Sequence, residues 1–330
     1  MKTTFTMLCH GHTLSETEAY QLLQDICNNN YNASQIAFIM AFYITRPVSV
    51  DELIGFRKAL LDVCVSVKLD REAIDVCGTG GDQKDTFNIS TLSALVLAAS
   101  GIPVAKHGNY GSSSVSGSSD ILKHLGYEFK TNSDDLNKEF NKYNICFMHA
   151  PLFHPALKTV AETRKELGIK TFFNLLGPLV NPANISFRYV GVYGLEVARL
   201  YNYILQKDKA DYCLVHSIDG YDEVSLTSSF KYITKKSEQT IEPETLGLQK
   251  LKQQDLFGGK TIVDAAKIFV NVLKNECSTA QKNVVVANSA LAMNAYNKNM
   301  NMDMETCISI CKETIESKKT YELFKNIIAN

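Results

Sequence analysis

The feature that most constrains the fold is a pattern that recurs between Ile74 and Gly126, in which a short apolar stretch runs directly into a turn of small polar residues. Ile74, Val76 and Cys77 form the first apolar stretch, and GTGGD follows at 78–82. Three glycines in four positions free the backbone from Cβ atoms, so several N–H groups can point toward one anion. The pattern therefore predicts a strand that ends in an anion-binding loop.

Two further turns follow along the chain. Asn88, Ser90 and Thr91 precede an apolar run that Gly101 closes, which predicts a helix with hydroxyl and amide caps. The amino terminus of such a helix offers unpaired N–H donors and the positive end of the helix dipole, and both favour phosphate. The third turn is KHGN at 106–109, which leads into a serine-rich loop and then a short helix.

Each of these turns is weak evidence by itself, because a glycine-rich turn is often only a tight turn and a serine-rich loop is often only solvated. Their succession is stronger evidence, since consecutive strand-to-helix junctions of a parallel sheet open on one edge. With Lys106 among them, the three turns predict a site for a ligand that carries more than one phosphate.

The first part of the chain shows only helical signals. Ser15 with Glu18, and Ser49 with Glu52, have capping-box spacing, so we expect a helix to begin at each pair. An apolar helix is expected between them, from Gln35 to Thr45. About 65 residues therefore form a small helical unit on this interpretation.

Strand and helix patterns alternate in the rest of the chain, which favours a parallel or mostly parallel sheet. Strands are expected at Tyr189–Val192 and Tyr212–Val215. A strand, a polar helix and a second strand are expected between Tyr127 and Met148. The segment 231–254 is polar and is expected to lie on the surface.

Composition narrows the class of protein. The chain has 330 residues, enough for about two domains of ~150 residues. Its formal net charge of −1 provides no broad basic face, so we expect no nucleic-acid partner. The longest apolar run, Ile36 to Ile44, is too short to span a bilayer, so no membrane association is expected. Nine cysteines without a Cys-x-x-Cys pair suit a reducing compartment, and we predict a cytoplasmic protein.

An acidic segment follows one of the expected strands. In HSIDGYDEVSL, Asp219, Asp222 and Glu223 come directly after an apolar run. Carboxylates at a strand end are hard oxygen ligands that suit Mg²⁺, which commonly sits between a carboxylate and a substrate phosphate. Acidic turns are common, so this prediction depends on the phosphate loops.

In order and spacing, the motifs resemble those of the anthranilate phosphoribosyltransferase family, within the nucleoside phosphorylase and phosphoribosyltransferase superfamily. The resemblance extends over nearly the whole chain. The matching motifs are GTGGD (78–82), NIST (88–91), KHGN (106–109), SGS (116–118), HPALK (154–158), RKELG (164–168), NLLGPLVNPA (174–183) and DEVSL (222–226).

This resemblance implies an α/β fold with a small all-helical N-terminal domain and a larger α/β domain, whose central, mostly parallel sheet is flanked by helices. The helical domain is expected at 1–68, with part of about 160–182 returning to it beside the acceptor site. The phosphoribosyl-donor-binding domain is expected at 69–330. The family usually forms homodimers through the helical domain, so we expect the same here.

The resemblance also implies the reaction, in which the phosphoribosyl group of phosphoribosyl pyrophosphate passes to the amine of anthranilate in tryptophan biosynthesis. The cofactor implied is Mg²⁺, with two ions per subunit. The matching donor-binding residues are Gly78, Gly81, Asp82, Thr86, Asn88, Ile89, Ser90, Thr91, Lys106, Ser114 and Ser118. The matching anthranilate contacts are Gly78, Asn109, His154 and Arg164. The metal ligands implied are Ser90, Asp222 and Glu223, and the catalytic residues implied are Lys106 and His107, neither of which is assigned as a general base.

The sequence departs from the family pattern at several positions. Tyr110 and Val115 stand where many relatives have arginine and lysine, so the donor loop carries two fewer positive charges. Glu162 and Thr163 replace the usual Pro and Val before Arg164. Two alternatives stay open: a pyrimidine nucleoside phosphorylase of the same superfamily, and a noncatalytic nucleic-acid-binding relative, which would require a basic face and no metal carboxylates.

Overall fold

The structure is a computed structural model that describes residues 2–111, 115–296 and 302–329. The chain divides into two compact units. One contains Met1–Val67 and Ala150–Pro182, and the other contains Lys68–His149 and Ala183–Asn330. The sequence places the first boundary one residue later, after 68, and assigns about 160–182 to the returning segment, whereas this division begins that segment at 150.

The elements follow in chain order. The helices are α1 (Lys2–Cys9), α2 (Glu16–Cys27), α3 (Ala33–Thr45), α4 (Val50–Val63), α5 (Ile89–Ala99), α6 (Ser118–His124), α7 (Ser133–Tyr143), α8 (Ala150–Phe153), α9 (Lys158–Leu167), α10 (Leu195–Leu205), α11 (Ile262–Leu273), α12 (Thr279–Tyr296), α13 (Met304–Glu316) and α14 (Lys319–Ile328). The strands are β1 (Ile74–Gly78), β2 (Val104–Gly108), β3 (Ile145–His149), β4 (Phe187–Gly191), β5 (Asp211–Ser217), β6 (Phe230–Thr234) and β7 (Glu238–Ile241).

The helical unit is built from α1–α4, α8 and α9. Both expected capping boxes are confirmed, at Ser15 with Glu18 and at Ser49 with Glu52. Glu52 is fully buried, and its carboxylate also accepts hydrogen bonds from the Leu14 N–H and the Tyr43 hydroxyl. The capping carboxylate thus ties α4 to the segment before α2 and to α3.

The α/β unit contains one seven-stranded sheet, in the order β3-β2-β1-β4-β5-β6-β7. Strands β1 to β5 run parallel, whereas β6 and β7 are antiparallel to their neighbours. On one face, α5 and α12 pack against the sheet with apolar side chains from β1, β2 and β4. The expected fold class, a helical domain plus a mostly parallel α/β domain, is confirmed.

Strand order reverses between β1 and β4, since β2 lies on one side of β1 and β4 on the other. In open α/β sheets, ligands bind in the crevice outside the carboxyl ends of the strands at such a switch point. Here the last residues of the two strands are the paired glycines Gly78 and Gly191. The switch point therefore has no side chains on its two central strand ends.

One expectation for the α/β unit is wrong. No strand begins at Tyr127; its ring is buried against Phe147, and its hydroxyl donates to Glu139. The segment 231–254 is largely exposed, as expected, but it also contains most of β6 and all of β7, which the sequence did not indicate. Three of the four residues of β7 are exposed, so its pattern is polar, and β6 has no strict alternation of apolar and polar residues.

Within the described residues, no helix is long and apolar enough to cross a lipid bilayer.

Buried Glu139 predicts a pH-dependent stability. Burial raises the pKa of its carboxyl from the ordinary 4.5 to about 7, although the Tyr127 hydroxyl, 2.7 Å away, donates to it. The folded state thus keeps a proton that the unfolded chain releases at lower pH, so the unfolding free energy falls as pH rises from about 4.5 to 7. The decrease from this group is at most about 3 kcal/mol.

We expect Glu139→Gln to flatten that decrease, because the amide oxygen still accepts from Tyr127 and does not titrate. Urea unfolding at pH 5 and pH 8 measures the difference. Glu322→Gln, at an exposed carboxylate on α14, is the control and should keep the original slope. Parallel pH slopes for Glu139→Gln and the unsubstituted protein would contradict the prediction.

Candidate active site

The acidic turn after β5 lies against the carboxyl ends of β1 and β4. A Cβ atom on Gly78 would come within 2.4 Å of Asp222 Oδ2, and one on Gly191 within 1.5 Å of the Asp222 carbonyl oxygen. Only glycine permits this approach at Gly191, because the obstacle is backbone that cannot rotate away. The two glycines therefore place Asp222 directly over the switch point.

The loop after β1 turns through left-handed conformations at Gly80 and Gly81, whose φ angles are 65° and 74°. The Gly80 N–H donates to Asp222 Oδ2 at 2.6 Å. Asp82 accepts from the Lys84 N–H at 3.1 Å and from the Asp222 N–H at 3.5 Å. The glycine-rich turn thus points a backbone donor at a carboxyl group of the protein itself, and the binding of a ligand's phosphate by this loop stays a prediction.

The amino terminus of α5 points a second donor toward the same acidic pair. The Ser90 N–H donates to Glu223 Oε1 at 2.9 Å. The expected amide cap is wrong, since Asn88 makes no side-chain bond to the helix. Its amide instead donates to the Ser116 carbonyl at 3.3 Å and accepts from the Ser116 hydroxyl at 3.2 Å. One N–H group of the first turn of α5, that of Ser90, is thus satisfied by a carboxylate from the acidic segment.

Lys106 lies beside the first turn of α5. Its side chain is 2% exposed, and its ammonium donates to the Val76 carbonyl and, at 3.3 Å, to Ser90 Oγ. Burial lowers the pKa of Lys106, while the charges of Cys77, Asp75 and Glu223 oppose the shift. The structure therefore brings Gly80, Ser90 and Lys106 together around Asp222 and Glu223, although they lie far apart in the sequence.

Asp222 and Glu223 are neighbouring carboxyl groups, of which Asp222 is buried and Glu223 is half-buried. Burial raises the pKa of Asp222 well above its ordinary value, and repulsion from Glu223 and Asp82 adds to the shift. Burial also raises the pKa of Glu223, with a further contribution from Asp82, while the Ser90 N–H and Lys106 oppose it. Both carboxylates would be stabilised in their charged form by a nearby cation.

These residues fit Mg²⁺ by their donor chemistry. No cluster of three or more His, Cys, Asp or Glu side chains suited to a metal occurs among residues 2–111, 115–296 and 302–329. Mg²⁺ does not need such a cluster, because one or two carboxylates, water and substrate phosphates commonly hold it. Asp222 and Glu223, with the Ser90 hydroxyl beside them, supply hard oxygens of this kind.

The turn after β2 carries further predicted residues. Asn109 begins it, and its carbonyl oxygen accepts from the Ser119 N–H at 3.1 Å and from Ser118 Oγ at 3.4 Å. Gly108 leaves room for the Ser118 hydroxyl, since a Cβ atom there would lie 2.2 Å from Ser118 Oγ unless that side chain rotated. The structure thus brings the predicted anthranilate contact Asn109 to the predicted donor contact Ser118. Ser114 lies outside the described residues.

The other predicted donor contacts lie on the loop after β1 and in the first turn of α5. Thr86 pairs with Phe257 in an isolated antiparallel bridge. Ile89 and Thr91 are buried in the first turn of α5. Backbone atoms of these residues, more than their side chains, are thus placed at the loop that ends β1.

His107 differs from Lys106 in its surroundings. The two residues are consecutive on β2, so their side chains point to opposite faces of the sheet. His107 is buried, and its backbone N–H donates to Asp75 Oδ1 at 3.2 Å. The two predicted catalytic side chains therefore do not share a face.

The helical unit carries His154 and Arg164. His154 is buried, and its Nε2 bonds to the Val180 carbonyl at 2.8 Å. Arg164, on α9, lies over the Phe173 ring at 5.6 Å and donates weakly to Asn174 Oδ1 at 3.4 Å. Burial lowers the pKa of Arg164. Within the described part of the chain, its guanidinium forms no ion pair.

Sequence reasoning missed two residues that shape the site. Gly191 looks like an ordinary strand end, and only the pairing with Gly78 shows why it lacks a side chain. Asp120 looks like the start of a short helix, yet its carboxylate accepts from two glycines of the preceding loop. The spacing of Gly117 and Asp120 gave a local signal for one of these bonds, but no signal for the other.

Comparison with known proteins identifies the family of this chain. The family model described as "Glycosyl transferase family, a/b domain" matches residues 70–321, and "Glycosyl transferase family, helical bundle domain" matches residues 3–64. The anthranilate phosphoribosyltransferase of Cytophaga hutchinsonii is 46% identical over 329 residues, which cover 99% of this chain and 100% of that protein. That of Flavobacterium psychrophilum is 47% identical over 328 residues, or 99% and 98% of the two chains.

Solved structures give the same result. The anthranilate phosphoribosyltransferase of Thermus thermophilus superposes with a TM-score of 0.89 at 29% identity, covering 98% of each chain. The Saccharomyces cerevisiae enzyme in complex with PRPP and Mg has a TM-score of 0.87 at 26% identity, covering 96% of this chain and 93% of that one. This chain therefore belongs to the anthranilate phosphoribosyltransferase family.

Proposed function

We propose that this protein transfers the phosphoribosyl group of phosphoribosyl pyrophosphate to the amine of anthranilate and releases pyrophosphate, a step of tryptophan biosynthesis. A bond forms between the amine nitrogen and the ribose carbon, the bond to pyrophosphate breaks, and the amine loses a proton to solvent. The observation that carries the proposal is the meeting of the two loops at the acidic pair: the Gly80 N–H donates to Asp222, the Ser90 N–H donates to Glu223, and Lys106 donates to the Ser90 hydroxyl beside them.

The donor site is proposed around these groups. Gly78, Gly81, Asp82, Thr86, Asn88, Ile89, Ser90, Thr91, Lys106 and Ser118 are the residues we assign to donor binding within the described chain, and Ser114 remains a sequence-based assignment. As the bond to pyrophosphate breaks, negative charge grows on the leaving group. A buried ammonium held in a fixed position stabilises such charge with little reorganisation. Lys106 is therefore the residue we assign to leaving-group stabilisation, and His107 stays a sequence-based assignment with no role as a base.

Asp222, Glu223 and the Ser90 hydroxyl are proposed to hold Mg²⁺. Bound there with the donor, Mg²⁺ would neutralise charge on the pyrophosphate as it departs. The yeast relative was solved with PRPP and Mg, which supports the assignment. Two ions per subunit are proposed on the family resemblance, and the two adjacent carboxylates are compatible with that number.

Anthranilate is proposed to contact Gly78 and Asn109 of the α/β unit and His154 and Arg164 of the helical unit. Arg164 supports this assignment because its guanidinium is partly buried and forms no ion pair with any described residue. A planar guanidinium binds both oxygens of a carboxylate. A yeast relative was solved with 4-fluoroanthranilate, so a related ligand is accommodated in that protein.

The direct experiment follows anthranilate fluorescence in the presence of purified protein, phosphoribosyl pyrophosphate and Mg²⁺. Fluorescence should fall only when all three are present, and pyrophosphate should appear in equal amount. A protein that consumes no anthranilate under these conditions, but cleaves a pyrimidine nucleoside with phosphate, would replace this proposal with the phosphorylase alternative.

Arg164→Ala should weaken anthranilate use by about 10- to 100-fold, because a charged hydrogen-bonding partner contributes ~1.5 to 3 kcal/mol. Arg164→Lys should recover only part of the loss, since an ammonium lacks the planar fork. The measurement is the KM for each substrate. Lys165→Ala, at the next and exposed position of α9, is the control. An unchanged KM for anthranilate in Arg164→Ala would remove Arg164 from the site.

A homodimer that forms through the helical unit is also proposed. Helix α3 supports it, because Phe38 and Ile44 are 38% and 47% exposed on an otherwise apolar helix. Sedimentation velocity that gives the mass of one chain at micromolar concentration would exclude the dimer. The cytoplasmic location stays a prediction from the sequence.

A further inference from the structure

The carboxylate of Asp120 connects the beginning and the end of the loop after β2. Asp120 Oδ2, in the first turn of α6, accepts from the Gly117 N–H at 2.8 Å and from the Gly111 N–H at 2.7 Å. A helix cap requires only the first of these bonds, since Gly117 directly precedes α6. The second bond reaches back to the other end of the loop and serves no helix.

The two ends of the loop are also packed closely at this point. A Cβ atom on Gly117 would lie 2.3 Å from the Gly111 nitrogen and 2.5 Å from the Asn109 carbonyl oxygen. The obstacles are backbone atoms, so no side chain could be accommodated by a rotation. The contact between the two ends of the loop therefore requires glycine at position 117, and Asp120 accepts the charge-assisted hydrogen bonds that stabilise this contact.

This junction lies beside two proposed substrate contacts. Asn109 is two residues before Gly111, and Ser118 directly follows Gly117. The Asn109 carbonyl accepts from the Ser119 N–H and from Ser118 Oγ, so the same junction fixes both residues. Ser119 is fixed in turn by a 2.8 Å bond between its hydroxyl and His149 Nδ1.

We propose that Asp120 is a positioning residue that holds the acceptor contact Asn109 and the donor contact Ser118 in a fixed relation, so that both substrates depend on it. It does not touch the reacting atoms. Its effect is to remove, before binding, the conformational freedom that the loop would otherwise lose when the substrates arrive. This inference rests on the proposed function.

The matched control is Asp264, which occupies the same position in the capping box of α11. Its carboxylate accepts from the Thr261 N–H at 3.1 Å and from the Lys260 N–H at 3.2 Å, and it holds no predicted site residue. Asp264→Ala therefore removes a helix cap of the same kind in the same unit.

The experiment compares Asp120→Ala, Asp120→Asn and Asp264→Ala by steady-state kinetics, thermal melting and hydrogen exchange of the peptide that spans 108–120. We expect Asp120→Ala to raise the KM for both substrates by about 5- to 20-fold, because ordering a freed loop segment costs binding energy. Asp120→Asn keeps an acceptor and should give an intermediate change. Amide exchange in 108–120 should be faster in Asp120→Ala, whereas Asp264→Ala should leave both KM values and this exchange unchanged.

Two results would overturn the proposal. One is a pair of unchanged KM values in Asp120→Ala; the other is a change no larger than that of Asp264→Ala. Should Asp120→Ala fail to fold, Asp120→Asn decides by the same criteria. The exchange measurement needs no turnover, and the activity of the unsubstituted protein is measured separately, so failure of the proposed function is distinguishable from failure of this inference.

Discussion

Replacing Asp222 and Glu223 together by alanine is expected to abolish the response of the reaction to Mg²⁺ and to lower turnover at saturating Mg²⁺ by about 100-fold or more, on the order of 3 kcal/mol. Asp222 is buried and Glu223 is half-buried, and they accept hydrogen bonds from Gly80 and Ser90, so they present hard oxygens where the donor phosphates are proposed to lie. Initial rates at increasing Mg²⁺ measure the effect.

A second variant separates charge from hydrogen bonding. Asp222→Asn with Glu223→Gln keeps acceptors for the Gly80 and Ser90 N–H groups and removes both charges. We expect it to lose the Mg²⁺ response as fully as the alanine variant. Isothermal titration of Mg²⁺ into protein with donor provides a readout that does not depend on turnover.

Asp219→Asn is the matched control for this experiment. Asp219 lies on the same acidic turn, but its carboxylate accepts from the Ser228 and Thr227 hydroxyls rather than from the phosphate-binding loops. It should retain the full Mg²⁺ response. A normal Mg²⁺ response in the double alanine variant would refute the metal assignment.

Lys106→Met is expected to lower kcat by about 100- to 1000-fold, the range found when one fixed donor to a developing negative charge is removed. Lys106 is 2% exposed and its ammonium lies 3.3 Å from Ser90 Oγ, so the substitution removes a buried positive charge, which salt screens much less than an exposed one. Methionine has a similar length and no charge, which limits the change in packing.

The control for Lys106→Met must remove the same charge elsewhere. Lys138→Met does so at a side chain that is 77% exposed on α7, and its rate should change less than about twofold, as expected for an exposed ion pair. Melting temperatures show whether Lys106→Met remains folded, since the Val76 carbonyl loses its donor. A folded Lys106→Met protein with nearly normal kcat would contradict the role assigned to Lys106.

The fold class and the loops of the donor site were accessible from sequence because both depend on local pattern. GTGGD and NIST each report a backbone turn, and a strand before such a turn identifies the edge of the sheet where it lies. Capping boxes at Ser15 and Ser49 are equally local, and both are present. Strand β7 was missed because most of its residues are exposed and polar, and β6 was missed because its apolar and polar residues do not alternate strictly.

Contacts between distant segments could not be predicted in this way. Nothing near Asn88 indicates that Glu223, 133 residues beyond Ser90, would satisfy the start of α5. The reason for Gly191 appears only when β4 is placed beside β1 and Asp222 is placed above them. The bond from Asp120 to Gly111 likewise depends on how the loop folds back, and residue spacing does not determine that.

The hydrogen bonds from Gly80 to Asp222 and from Ser90 to Glu223 lower the affinity of this site for any anionic ligand. To bind these N–H groups, an anionic ligand must first displace the carboxylate that each of them already contacts. Its net binding free energy is therefore much smaller than the energy of the new hydrogen bonds, because the broken bonds are subtracted from it. Sulfate or phosphate alone should consequently bind weakly to these N–H groups. An anionic ligand that binds together with a cation should bind more tightly, because the displaced carboxylates of Asp222 and Glu223 can then contact the cation.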